Sequence, residues 1–65
     1  MKVRTNKVPK YCYYIIPGKE YKLIERDYED GVLIGGSFIA EGDLEVYVYI
    51  PSSFHLDGAA WEVID

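Results

Sequence analysis

Ser53, His55 and Asp57 stand at alternate positions in the stretch "SSFHLD" and supply the three residue types of a hydrolytic triad. The chemistry would be acyl transfer. Three positions within one tight turn, however, do not aim a hydroxyl at an imidazole and that imidazole at a carboxylate. Nor is there the glycine-flanked serine that lifts a nucleophile out of a strand–helix elbow. The simpler reading is that Ser52 or Ser53 caps a single helical turn with its hydroxyl. His55 and Cys12 are too few for zinc, which wants four ligands, or three and a water. Two acidic groups, Asp27-Glu29-Asp30 and Glu41-Asp43-Glu45, could approach Ca²⁺, but neither has the loop spacing of an EF-hand, and solvated turns account for them. Ser37 lies within a strand. Gly35-Gly36 is no phosphate loop but a place for a strand to bend. The residues argue against a catalytic centre, a metal site or a cofactor.

What remains is tyrosine. Seven of the 65 residues are tyrosine, more than so small a core can bury. The stretch Leu44–Ile50, "LEVYVYI", separates by parity into Leu44, Val46, Val48 and Ile50 on one side and Glu45, Tyr47 and Tyr49 on the other. The aliphatic side is a core face. The other side should meet water, and tyrosine offers large contact area at low entropic cost. Tyr47 also has a bland use, as a ring laid across the bare backbone of Gly35.

Alternation punctuated by Gly and Pro, with no sustained helical period, predicts an all-β domain spanning residues 1–65. Expected strands cover Lys2–Thr5, Glu20–Arg26, Val32–Ala40, Leu44–Ile50 and Trp61–Ile64. "DYEDG" (Asp27–Gly31) reads as a polar turn, and Asn6–Gly18 has no legible period. Pro51 breaks the fourth strand because it lacks a ladder donor. A three-residue loop, Ala40-Glu41-Gly42, with Gly42 left-handed, sets the central hairpin. That register faces Ile39 with Asp43, Ser37 with Glu45, Gly35 with Tyr47 and Leu33 with Tyr49, all outward. It faces Phe38 with Leu44, Gly36 with Val46, Ile34 with Val48 and Val32 with Ile50, all inward.

The run "PGKEYKLIE" (Pro17–Glu25), a glycine-containing hairpin, "VYIPSSF" and the terminal "WEVI" resemble a group of short phage and bacterial proteins. Those carry a GKxYxV strand, a central hairpin, a Y-x-P-x-x-x-F-type segment (one residue shorter here between Pro51 and Phe54) and a final F/W-E-V strand. The matching positions are Gly18, Lys19, Tyr21, Leu23, Pro51, Phe54, Trp61, Glu62 and Val63. The resemblance implies a small SH3-like five-stranded barrel with a single helical turn before the last strand, a phage origin and, with it, residence in the host cytoplasm. It brings no activity with it. "HLDGAA" and the tyrosine-rich Asn6–Tyr14 loop depart from the group's pattern.

Charge narrows the partner. The seven basic residues all fall in the first 26 positions, against two acids, a balance of +5; from Asp27 onward there are nine acids and no Lys or Arg, a balance of −9. Strands from the two halves can interleave and cancel this asymmetry, or it can steer association. One cysteine allows no internal disulfide and fits a reducing compartment, with Cys12 read as a half-buried, inert thiol. No apolar run is long enough to span a bilayer, and no targeting segment is visible. The sequence therefore points to a non-catalytic protein-binding module that modulates or inhibits a host protein with a basic surface. Its expected contact residues are Tyr47, Tyr49, Glu45, Asp43, Glu41 and Leu33. The alternative is single-stranded nucleic-acid binding through Tyr11, Tyr13 and Tyr14 beside Lys7, Lys10 and Lys19, opposed by a pI near 4.8. A third reading is a virion or assembly component that homodimerises or polymerises through exposed strand edges.

Overall fold

In the computed structural model, which describes residues 1–64, six short strands and one 3₁₀ turn follow one another. They are β1 (Lys2–Arg4), β2 (Tyr21–Lys22), β3 (Ile24–Glu29), β4 (Val32–Ala40), β5 (Leu44–Tyr49), the 3₁₀ turn (Phe54–Leu56) and β6 (Glu62–Ile64). Two antiparallel three-stranded sheets result, ordered β2-β1-β6 and β3-β4-β5. The all-β class and the helical turn before the last strand are as expected. The strand count is not. Leu23 divides the Glu20–Arg26 ribbon and hands its halves to different sheets, so six strands replace five. Pairing does not run continuously around a closed barrel.

Both hairpins are set by residues that tolerate positive φ. Asp30 and Gly31 lie at φ 50° and 79°, the paired left-handed geometry of a type I′ turn, and close Glu29 against Val32. "DYEDG" is therefore mostly strand, and only its last two residues turn. In the second hairpin Gly42 is left-handed as expected (φ 76°), but Asp43 is too (φ 57°). The loop becomes Glu41-Gly42-Asp43, Ala40 faces Leu44, and the register sits two residues from the expected one, with Gly35 opposite Tyr49 and Ser37 opposite Tyr47. A two-residue slip preserves parity. Val46, Val48 and Ile50 are accordingly buried while Tyr47 and Tyr49 are exposed. Val32 and Leu44, expected inside, are exposed at the ends of their strands.

Phe38 occupies the middle of the core, its ring 4.6 Å from that of Tyr21 and 5.4 Å from that of Trp61. Val3 and Val48 join it from the two sheets. Cys12 and Ile15 plug the core from the aperiodic loop, and Leu56 does so from the 3₁₀ turn. That loop is held by backbone bonds to distant residues, from the Gly18 N–H to Thr5 (2.7 Å) and from the Glu41 N–H to Tyr14 (2.9 Å). The 3₁₀ turn is closed differently from the expected hydroxyl cap. The backbone carbonyl of Ser53 receives the N–H groups of Leu56 and Gly58, while its hydroxyl is buried without a partner among the described residues. Ser52 instead donates to the Gly58 carbonyl.

Candidate protein-docking face

The outer surface of β3-β4-β5 carries a linked set of polar side chains. A register shift between Glu25 and Asp27 leaves Arg26 as an extra residue in β3. A bulge of this kind re-aims a side chain. Here it sends the Arg26 guanidinium over β4, where Nε donates to Ser37 Oγ (3.0 Å) and Nη2 lies 3.8 Å from Glu45. Tyr47 leans diagonally from its place opposite Ser37 across Gly35; a Cβ at position 35 would lie 1.9 Å from the tyrosine oxygen. Its hydroxyl donates to Asp27 Oδ2 (2.6 Å), and this bond to a carboxylate, with some burial, raises the phenol pKa above its ordinary value. The ring that covers the glycine still leaves 46% of Tyr47 exposed, beside Tyr49 at 42%. Covering the glycine and facing water are therefore one arrangement.

The expected contact residues do not all gather here. Glu45 shares the face, opposite Ile39. Asp43 is exposed in the hairpin loop. Glu41 turns away to the Lys19 side, where its carboxylate accepts from Lys19 Nζ (2.6 Å) and the Tyr21 hydroxyl (3.0 Å). Leu33 is half-buried and packs against the core. The second register shift, between Asp27 and Tyr28, puts Ile34 into β4 as an extra residue and breaks the alternation. Ile39 lies on the outward side as the alternation predicts and is exposed there; Arg26 and Asp27 also belong to the face and were not among the expected residues. The Asp30-Gly31 pair was the available signal for Asp27, since it moves the start of the turn three residues on; nothing in the sequence marks the bulge at Arg26.

The alternative nucleic-acid set is divided. Tyr11 and Tyr13 are exposed, but Tyr14 is half-buried with its hydroxyl on His55, and Lys19 is committed to Glu41. The Ser53-His55-Asp57 triad is not assembled either. His55 Nε2–H donates to the Tyr47 carbonyl (3.0 Å), so Nδ1 accepts the Tyr14 hydroxyl (2.6 Å), and both ring nitrogens are used in tying the 3₁₀ turn to β5 and the loop. Asp57 accepts a hydrogen bond from Tyr11, which, with burial, holds that phenol at about 12.

In space the charge asymmetry is partly cancelled. Among the described residues, three ion pairs join the basic first part to later acids: Arg4–Glu62 (3.0 Å), Lys19–Glu41 (2.6 Å) and Arg26–Glu45 (3.8 Å). Lys2 and Arg4 share Glu20. The hydrogen bond from Lys19, and then that from Tyr21, hold the Glu41 carboxyl below its ordinary 4.5. A carboxyl depressed by folding contributes stability above its unfolded pKa and loses that contribution as pH falls through the folded value. Glu41→Gln should therefore lower the melting temperature at pH 7 by a few degrees, with the difference from the parent shrinking as the pH is taken progressively below 4.5. A difference that stays constant down the whole acid range would show that ionisation is not what the site uses.

Among the described residues, no helix is long and apolar enough to cross a membrane, and no group of three or more His, Cys, Asp or Glu side chains could hold a metal ion. Comparison with protein families, curated proteins and solved structures finds no match for this chain.

Proposed function

We propose that this chain is a non-catalytic protein-binding module, phage-encoded and working in the host cytoplasm, that docks on the basic surface of a host protein and modulates or inhibits it. Its working surface is the outer face of β3-β4-β5: Tyr47, Tyr49 and Glu45, with Asp43 at the rim. The observation that carries this reading is the fixing of Tyr47. Its hydroxyl is held by Asp27 and its ring lies on Gly35, so a large aromatic surface is pre-set in water without a further ordering cost on binding. Acids around it favour a cationic partner and make association salt-sensitive.

The scaffold in this proposal is an SH3-like barrel whose two sheets are its halves. Two features support that. The ribbon runs from β2 through Leu23 directly into β3, and the Trp61 N–H bonds to the Ile50 carbonyl (2.9 Å), bringing the start of β6 to the end of β5.

The test keeps Tyr47, whose loss would uncover Gly35, and changes Tyr49→Ala together with Glu45→Lys. Immobilised parent chain should retain a basic protein from bacterial lysate, in decreasing amount as salt rises. Purified, that protein should bind the double variant about 30-fold more weakly, which is the ~2 kcal/mol of an interface hot spot. Unchanged affinity, with unfolding temperature also unchanged, would remove the face from the proposal.

A further inference from the structure

Between the loop carrying Tyr11 and the 3₁₀ turn lies a hollow of about 560 Å³, lined by Tyr11, Ser52, Phe54, Asp57 and Gly58. Phe54 is 91% exposed, although Leu56, two residues on in the same turn, is buried. A phenylalanine so placed fills no core. Tyr11, 62% exposed, is steadied by the bond from its hydroxyl to Asp57 Oδ1. Asp57 is itself fixed, left-handed at φ 53°, as the residue that ends the turn. Its other oxygen, Oδ2, has no partner among the described residues, and none of the lining residues is basic.

Two exposed rings and one half-used carboxylate, without a cation of their own, are complementary to a cationic head group. Ring faces attract cations electrostatically, and the guanidinium does this best while keeping N–H donors in its plane. A carboxylate oxygen beside the rings can take one of those donors in a charge-assisted bond. A quaternary ammonium has no N–H to offer Oδ2, and a primary ammonium is more strongly hydrated and does not stack. We propose that this hollow binds the guanidinium of an arginine side chain presented by a partner protein. The arginine lies against Phe54 and Tyr11 and donates to Asp57 Oδ2. The site is separate from Tyr47 and Tyr49 and does not depend on their docking anything.

The experiment uses the intact chain, ¹⁵N-labelled, and follows its amide resonances by NMR during titration with N-acetyl-arginine methylamide. The citrulline analogue, equal in shape but uncharged, and the lysine analogue are titrated in parallel. The arginine compound should shift Phe54, Asp57 and Gly58 along saturable curves, and citrulline should bind about tenfold more weakly or worse, having lost the charge-assisted bond. Asp57→Asn keeps a residue that tolerates a left-handed backbone and should erase the difference between arginine and citrulline. Phe54→Ala, at a position outside the core, should weaken arginine binding while leaving the unfolding temperature unchanged. Equal binding of arginine and citrulline, or no movement of these three resonances, would overturn the site. Lysine binding as tight as arginine binding would overturn the guanidinium assignment.

Discussion

Phe38→Ala should lower the melting temperature by about 12 °C or more. Removing a buried phenylalanine ring costs about 3–5 kcal/mol in transfer and cavity terms. A domain of this length has only about 3–10 kcal/mol of stability in all. Position 38 is the worst place for the loss, because the ring is 1% exposed and lies between Tyr21 and Trp61, one from each end of the β2-β1-β6 region. With it gone, neither neighbour has a packing partner of comparable size. Thermal melts followed by circular dichroism, with Trp61 fluorescence as a second probe, read the outcome directly. Phe54→Ala, a change of the same chemistry on the exposed 3₁₀ turn, serves as the control and should melt like the parent. A cooperative melt of Phe38→Ala within a few degrees of the parent would mean that the core is centred elsewhere.

The second large effect separates two adjacent glycines. Alanine at Gly36 would bring its Cβ to 2.5 Å from the Ile24 carbonyl oxygen and 3.0 Å from Leu23 Cγ and Cδ1. The carbonyl is backbone and cannot swing aside, so the strands must part. Overpacking of this kind costs about 1–3 kcal/mol or more, and in so small a domain each kcal/mol lowers the melting temperature by about 4–8 °C. Alanine at Gly35 meets a shorter distance, 1.9 Å, yet the obstacle is the far end of the Tyr47 side chain. That ring can rotate away, at the expense of its bond to Asp27. Gly36→Ala should therefore destabilise the fold much more than Gly35→Ala. The Gly35 variant should instead release the Tyr47 phenol, whose pKa falls back toward its ordinary value, as ultraviolet titration would show. The reverse order of melting temperatures would contradict the close approach of β3 to Gly36.

Parity in the second hairpin was legible because it depends only on alternation: Val46, Val48 and Ile50 had to share a side whatever the register. The register itself depended on which residues of Ala40–Asp43 turned. Asp43 at positive φ, an uncommon state for any residue but glycine, moved the loop by one position and the pairing by two. Asp30-Gly31, a strong turn pair, was outweighed by the acidity of "DYED", and Asp27 was lost from the working face as a result. Arg26 was unreadable in principle, since a bulge changes the count of residues without changing their pattern. The Asn6–Gly18 segment was opaque for another reason. It contributes Cys12 and Ile15 to the core from an aperiodic path held by single backbone bonds to residues far along the chain, so no local repeat records it. Glu41 and Leu33 left the expected face for opposite causes, one drawn off by Lys19 and Tyr21, the other turned inward by the Ile34 bulge.

The way β1 is secured has a bearing on how the molecule comes into being. Its partners are Tyr21–Lys22 on one flank and Glu62–Ile64 on the other, whereas β3, β4 and β5 pair only with sequence neighbours. The central meander closes through two local hairpins, but β1 can pair with β6 only across the whole stretch that separates Arg4 from Glu62. Closing that long circuit carries an entropic cost which local hairpins escape. Until it closes, Val3, fully enclosed in the finished domain, remains wet. Long-range closure of β1 is thus the slowest kind of contact this topology asks the chain to make, and a folding rate limited by it should be slower than that of the local hairpins.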